Sequence, residues 1–250
     1  MRPETRVVFC ETPGSLTFEM QDVPAIAEVA HRHGAVVLAD NTWGTPYYFP
    51  AFARGVDVSI HAATKYVAGH SDVMLGVAVA NEACWNPLRE VVAAYGFTVS
   101  ADDCYLGLRG LRTLGVRLAR HQDSALRIAK WLQTRPEVAR VAYPALSDDP
   151  GHALWKRDFT GACGLFGVEF KPVSQTAADA FIDALELFGI GASWGGFESL
   201  AVPVHHEKIR TATKPSNQGP MVRLHIGLED ADELIADLEL GLAALREAVK

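Results

Sequence analysis

Apolar positions in the first hundred residues fall into short blocks separated by stretches of helical spacing. Residues 6–10 and 35–39 are near-continuous apolar runs that read as buried strands. Between them, residues 22–33 carry an apolar stripe at Val23, Ile26, Val29 and Ala30 behind Asp22, a suitable N-cap, and Gly34 closes that helix. Residues 56–60 and 74–80 predict two further strands. This strand–helix–strand rhythm predicts an α/β fold built on a mostly parallel sheet covered by helices. Repeated Leu and Arg positions make residues 102–133 read as one long helix linking two domains. Beyond it, strands at 165–170 and 221–226 and helices at 177–187 and 230–249, the last capped by Asp230, predict a smaller α+β domain. The expected division is 1–111 and 112–250. With no repeat or Pro/Gly-rich linker, the two parts should pack tightly.

Composition narrows the class of partner. The 250 residues carry a formal charge of −7, which argues against nucleic acid or an anionic membrane surface. Cys10, Cys84, Cys104 and Cys163 are scattered without a C-x-x-C pair, the usage of reduced thiols rather than a disulfide frame or zinc site. No apolar run approaches the roughly 18 residues of a membrane span, and the opening residues lack a signal-peptide pattern, so the cytoplasm is the expected compartment. His205 and His206 are adjacent, which does not suit a shared ligand, and no metal site is expected.

Three residues stand where chemistry would need them. Lys65 follows a predicted strand and sits among small and hydroxyl residues, Ala62, Ala63 and Thr64. It is either a loop lysine or an amine kept neutral for covalent work with a carbonyl cofactor, with Thr64 placed to hold a phosphate. Asp40 closes an apolar strand, where open α/β sheets present ligand-binding groups. It is a turn former or a carboxylate that pairs with a protonated ring nitrogen. Arg223 lies in an apolar strand and needs a partner, either an internal carboxylate or that of a substrate. Ser193-Trp-Gly-Gly-Phe-Glu-Ser199 is a glycine-bearing loop able to approach a ligand closely.

The ordered set ETPGSLTFEMQDVPAI, LADNTW, DVSIHAATKYVAGHSDVMLG, RGLRTLGVRLARH, HALWKRDFTG, SWGGFESL and VRLHIGLEDADELIADL covers nearly the whole chain. It resembles the Cys/Met-metabolism family of pyridoxal-phosphate (PLP) enzymes, and within it the β-lyase branch. The resemblance implies a fold-type I, aminotransferase-like architecture. It also implies that Lys65 carries the PLP, that Asp40 contacts its ring nitrogen, and that Thr64 binds its phosphate. Ser193 and Arg223 would then hold the carboxylate of an amino-acid thioether and Trp194 would shape the pocket, the tryptophan pointing to the β-lyase branch.

The implied reaction is β-elimination of L-cystathionine to homocysteine, pyruvate and ammonia, in a homo-oligomer. The alternatives are a γ-acting relative or a non-catalytic remnant. Two positions depart from the family pattern: Ala62 stands where many relatives have a phosphate-binding serine, and Ala192 where some β-lyases have tyrosine. The family's N-terminal portion, with its glycine-rich phosphate turn and ring-stacking tyrosine, is not found, so the chain is expected to be N-terminally truncated and to begin inside the cofactor domain.

Overall fold

The computed structural model describes residues 1–205, 211–213 and 218–250, so His206 lies outside the described residues. Two sheets frame the molecule. The first contains β1 (Val7–Glu11), β2 (Val36–Asp40), β3 (Val58–Ala62) and β4 (Gly76–Ala80) in that order. The first three strands are parallel and β4 returns antiparallel beside β3. Between β1 and β2 runs α1 (Val23–Arg32), where the Asp22 side chain accepts from Ala25 N–H at 3.1 Å, as the N-cap pattern predicts. A short α2 (Thr45–Tyr48) and a 3-10 turn (Ala51–Arg54) lead into β3. The mostly parallel α/β reading therefore holds.

Burial departs from it on one face. Val7 and Phe9 of β1 are 50% and 58% exposed, and Val77 and Val79 of β4 are exposed too. The apolar runs predicted two covered faces, but α1 covers only one. After β4 comes α3 (Glu82–Tyr95), which the sequence reading did not assign and which buries none of its residues.

The expected long helix is two. α4 (Ala101–Leu111) stops at Arg112, and α5 (Leu114–Gln133) begins after Thr113 at φ −111° and ψ 4°. Gly110 lies so close to the carbonyls of Val67 and Ala68 that a Cβ there would overlap them. The end of α4 is thus seated on the chain just after Lys65.

The second sheet holds five strands in the order β5 (Val138–Ala142), β6 (Leu165–Phe170), β9 (Met221–His225), β8 (Leu200–Val204), β7 (Gly189–Ile190). All pairs are antiparallel except β7–β8. Only β6 and β9 were expected. α6 (His152–Asp158), α7 (Gln175–Asp183) and α8 (Ala231–Ala248) complete the molecule, with Asp230 capping α8 as predicted. One apolar core runs through both sheets, from Cys10 and Val37 to Phe166, Leu224 and Leu242. All four cysteines are free thiols, and among the described residues no helix is long and apolar enough to cross a membrane.

The docking of α8 uses a buried carboxylate. Asp237, 3% exposed, accepts from the backbone N–H groups of Glu186, Leu187 and Phe188 at 2.8, 3.0 and 3.2 Å. Replacing it leaves three donors without an acceptor. Asp237→Ala is expected to lower unfolding stability by about 3 kcal/mol in urea titration, and an unchanged midpoint would show that these donors find other partners.

Candidate active site

The carboxyl ends of β1, β2 and β3 converge on a cavity of about 200 Å³. Its walls include Glu11, Asp40, Thr42, Lys65, Trp194 and Arg223. Parallel pairing places Glu11 directly beside Asp40 in register, so two carboxylates meet at one sheet edge. This is where open α/β sheets bind ligands.

Lys65 sits in the turn that follows β3. Its amine donates to Ser193 Oγ at 2.8 Å and lies 5.4 Å from the centre of the Trp194 ring. Burial, with a further contribution from the nearby Arg223 charge, holds the amine below the usual lysine range. The Trp194 face would favour the charged form, but desolvation and a like charge outweigh it. The turn is clamped from behind. Arg117, 6% exposed, donates to Tyr66 O at 2.8 Å, Val67 O at 3.3 Å and Gly110 O at 2.8 Å, with Nε bonded to Thr113 Oγ1 at 3.0 Å. Gly69, at φ +71°, closes the turn, and a Cβ there would overlap the guanidinium.

Asp40 is oriented by Thr42. Its Oδ1 accepts from Thr42 N at 2.9 Å and from Thr42 Oγ1 at 2.5 Å, while that hydroxyl accepts from Ala62 N at 2.9 Å. The carboxylate is therefore tied to the strand that leads to Lys65. Glu11 is held above the usual carboxylate range by burial, opposed in part by its hydrogen bond with Ser15.

Arg223 in β9 has no carboxylate partner among the described residues. It donates to Ala192 O at 2.7 Å and Ser193 O at 3.3 Å, and burial lowers its pKa. Of the two partners that the sequence leaves open for this arginine, the internal ion pair is not formed there.

The structure thus brings Lys65, Asp40, Trp194 and Arg223 around one cavity, with Ser193 bonded to the lysine. Thr64 stands apart from the cavity wall. Its hydroxyl accepts from Leu75 N at 2.8 Å and faces Leu75 O at 3.2 Å, pinning the start of the loop to its end. Thr42, Glu11 and Arg117 were not singled out from the sequence. Thr42 and Glu11 had a signal, since each stands at or just after the end of an apolar run; nothing local marks Arg117.

Residues 1–243 match the family described as Cys/Met metabolism PLP-dependent enzyme. The chain is 54% identical over 97% of its length to a putative cystathionine β-lyase of Rhizobium johnstonii, covering 62% of that protein. It is 48% identical to a cystathionine β-lyase of Escherichia coli, over 98% of the chain and 64% of that protein. It is 38% identical to human cystathionine γ-lyase, over 97% of the chain and 61% of that protein. The chain thus spans a little under two thirds of the length of these curated relatives.

The Arg117 clamp sets a measurable expectation. Arg117→Met takes the guanidinium from the carbonyls of Tyr66 and Val67 in a buried seam, while Gly110 O keeps the Thr113 N–H and hydroxyl. It should cost about 2 kcal/mol of stability by chemical denaturation. A cost near zero would mean that the seam relaxes around the loss.

Proposed function

The chain belongs to the Cys/Met metabolism PLP-dependent enzyme family, and on that premise we propose that it serves as a carbon–sulfur lyase that β-eliminates L-cystathionine. The products are homocysteine, with pyruvate and ammonia from the three-carbon fragment. The observation that carries this reading is the Lys65 amine, held toward its neutral form at a cavity it shares with Asp40 and Arg223.

The donor set suits PLP. A neutral amine can take up an aldehyde, and a carboxylate at the sheet edge can pair with a protonated ring nitrogen. When bound, PLP supplies an electron sink for the negative charge left at Cα.

Each residue then has a task. Asp40, fixed by Thr42, would accept from the protonated ring nitrogen of bound PLP. Arg223 presents its guanidinium to the substrate α-carboxylate, its orientation set by the carbonyls of Ala192 and Ser193. Ser193 Oγ donates to the same carboxylate once Lys65 is released from it. The freed Lys65 amine takes the proton from Cα and delivers one to the departing sulfur. Trp194 walls the thioether side. Thr64 is assigned to the cofactor phosphate, a role for which its hydroxyl would have to leave Leu75.

The same reading makes residues 1–111 part of the cofactor domain and 112–250 the small domain, in keeping with the two sheets. It places the protein in the cytoplasm as a homo-oligomer acting on an amino-acid thioether.

Incubation with PLP, borohydride reduction and peptide mass spectrometry test the proposal. A pyridoxyl group is expected on Lys65, formed at lower pH than on exposed lysines because a depressed pKa leaves more neutral amine at any given pH. Pyruvate is the expected product from cystathionine. Labelling spread over surface lysines would overturn the assignment, and 2-oxobutyrate in place of pyruvate would move the elimination to the γ carbon.

A further inference from the structure

The loop carrying Ser193 and Trp194 is long enough to need several anchors. Its entry is held by Arg223 on the carbonyls of Ala192 and Ser193. Its exit is held by Ser199, whose N–H and Oγ both donate to the Glu229 carboxylate, at 2.7 and 2.8 Å. The turn between them, Gly195–Gly196, presses its backbone on Lys65 and Tyr66. A Cβ on Gly195, which has φ +81°, would fall 2.8 Å from Lys65 Cβ and from Tyr66 N.

One buried side chain grips that turn. His225, 1% exposed at the end of β9, takes the Gly195 N–H on Nε2 at 3.1 Å, with Gly196 O 3.3 Å from the same nitrogen. Its Nδ1 faces Tyr66 Oη at 3.5 Å, and that oxygen accepts from Gly164 N at 2.9 Å. Tyr66 is the residue after Lys65 and packs edge-on to Trp194, ring centres 5.6 Å apart. Two positions back along β9 stands Arg223. His225 therefore touches the turn beside Ser193–Trp194 and the residue beside Lys65, and shares a strand with the carboxylate-binding arginine.

We propose that His225 is a positioning residue that fixes the Ser193–Trp194 loop against Lys65, and so sets substrate affinity. The inference rests on the proposed function for the substrate half, and on geometry alone for the loop half. Acceptance of the Gly195 N–H requires a lone pair on Nε2, hence a neutral ring. Complete burial, then the charge of His121, opposed by the Gly196 carbonyl and aided by Arg223 and Lys65, pushes the His225 pKa down to about 3, so the ring is neutral at ordinary pH. A merely apolar residue of similar bulk could fill this space, but it could not hold the turn.

Two substitutions separate these roles. His225→Leu keeps the bulk and removes the acceptor; His225→Gln returns an amide oxygen able to accept from Gly195. Amide hydrogen exchange on the full chain reads the loop without need of cofactor. Segment 193–197 is expected to exchange about tenfold faster in His225→Leu and to return toward the native rate in His225→Gln, with the β6–β9 ladder unchanged. Unchanged exchange of 193–197 in His225→Leu would overturn the proposal, as would equal acceleration in both variants.

In PLP-loaded chain left unreduced, from preparations whose reduced aliquots carry the Lys65 adduct, KM for cystathionine should rise about tenfold in His225→Leu with kcat within about threefold, and His225→Gln should recover most of the loss. An unaltered KM would overturn the substrate half. Failure of the native chain to form the Lys65 adduct would instead sink the functional reading, while the exchange result still decides whether His225 holds the loop.

Discussion

A guanidinium with no carboxylate partner among the described residues, that of Arg117, holds the seam on which this structure depends. It sits on α5, in the half of the chain that builds the second sheet, and reaches back to carbonyls of the turn after Lys65 and of the last turn of α4. Carbonyl oxygens are the acceptors that a turn and a helix end leave over, and a planar donor fork can meet several at once. The break between α4 and α5 lies at the same seam. Gly69 and Gly110 belong to it too, each leaving out a side chain that the close approach cannot admit.

Electrostatics around the cavity follow from burial more than from pairing. Lys65 and Arg223 are two cations drawn into one partly dry space, and each is pushed toward its neutral form. Neutral oxygens stand in where carboxylates would quench them: Ser193 Oγ for the lysine, the carbonyls of Ala192 and Ser193 for the arginine. Such partners orient a cation without cancelling its charge, which leaves it able to meet an anion. The carboxylates Glu11 and Asp40 occupy the strand ends on the sheet side of the same cavity.

How far the sequence revealed this depended on the reach of each interaction. Asp40 ends an apolar run, Arg223 interrupts one, and Lys65 follows one. Their neighbours mark them only as alternatives, with a turn former, an internal ion pair and a loop lysine beside the functional readings, and the family likeness chooses between them. Ser193 and Trp194 lack even that mark, since a glycine-bearing loop is a common pattern, and only the family likeness singles them out. Arg117 and His225 depend on partners 51 and 30 residues away, and no local spacing announces such contacts. The same holds for the break after Leu111: α4 and α5 together read as one helical pattern, and the break lies beside the close approach of Gly110 to the carbonyls of Val67 and Ala68. Short β7 and Pro203-bearing β8 gave too little period-2 signal to register as strands. The exposed face of β1 shows the reverse failure, an apolar run whose cover the pattern assumed.

The bond between Lys65 and Ser193 joins residues 128 positions apart. During synthesis the lysine leaves the ribosome long before its hydroxyl partner has been made, and before Arg223 exists at all. The turn that bears it is likewise unclamped until α5 has emerged. A nascent chain therefore carries an ordinary, protonated lysine, and the amine acquires its altered acidity only when the second sheet folds back upon the first. The lowered pKa at this position is in that sense a report on completed folding, written onto the turn after β3 by residues of the second sheet.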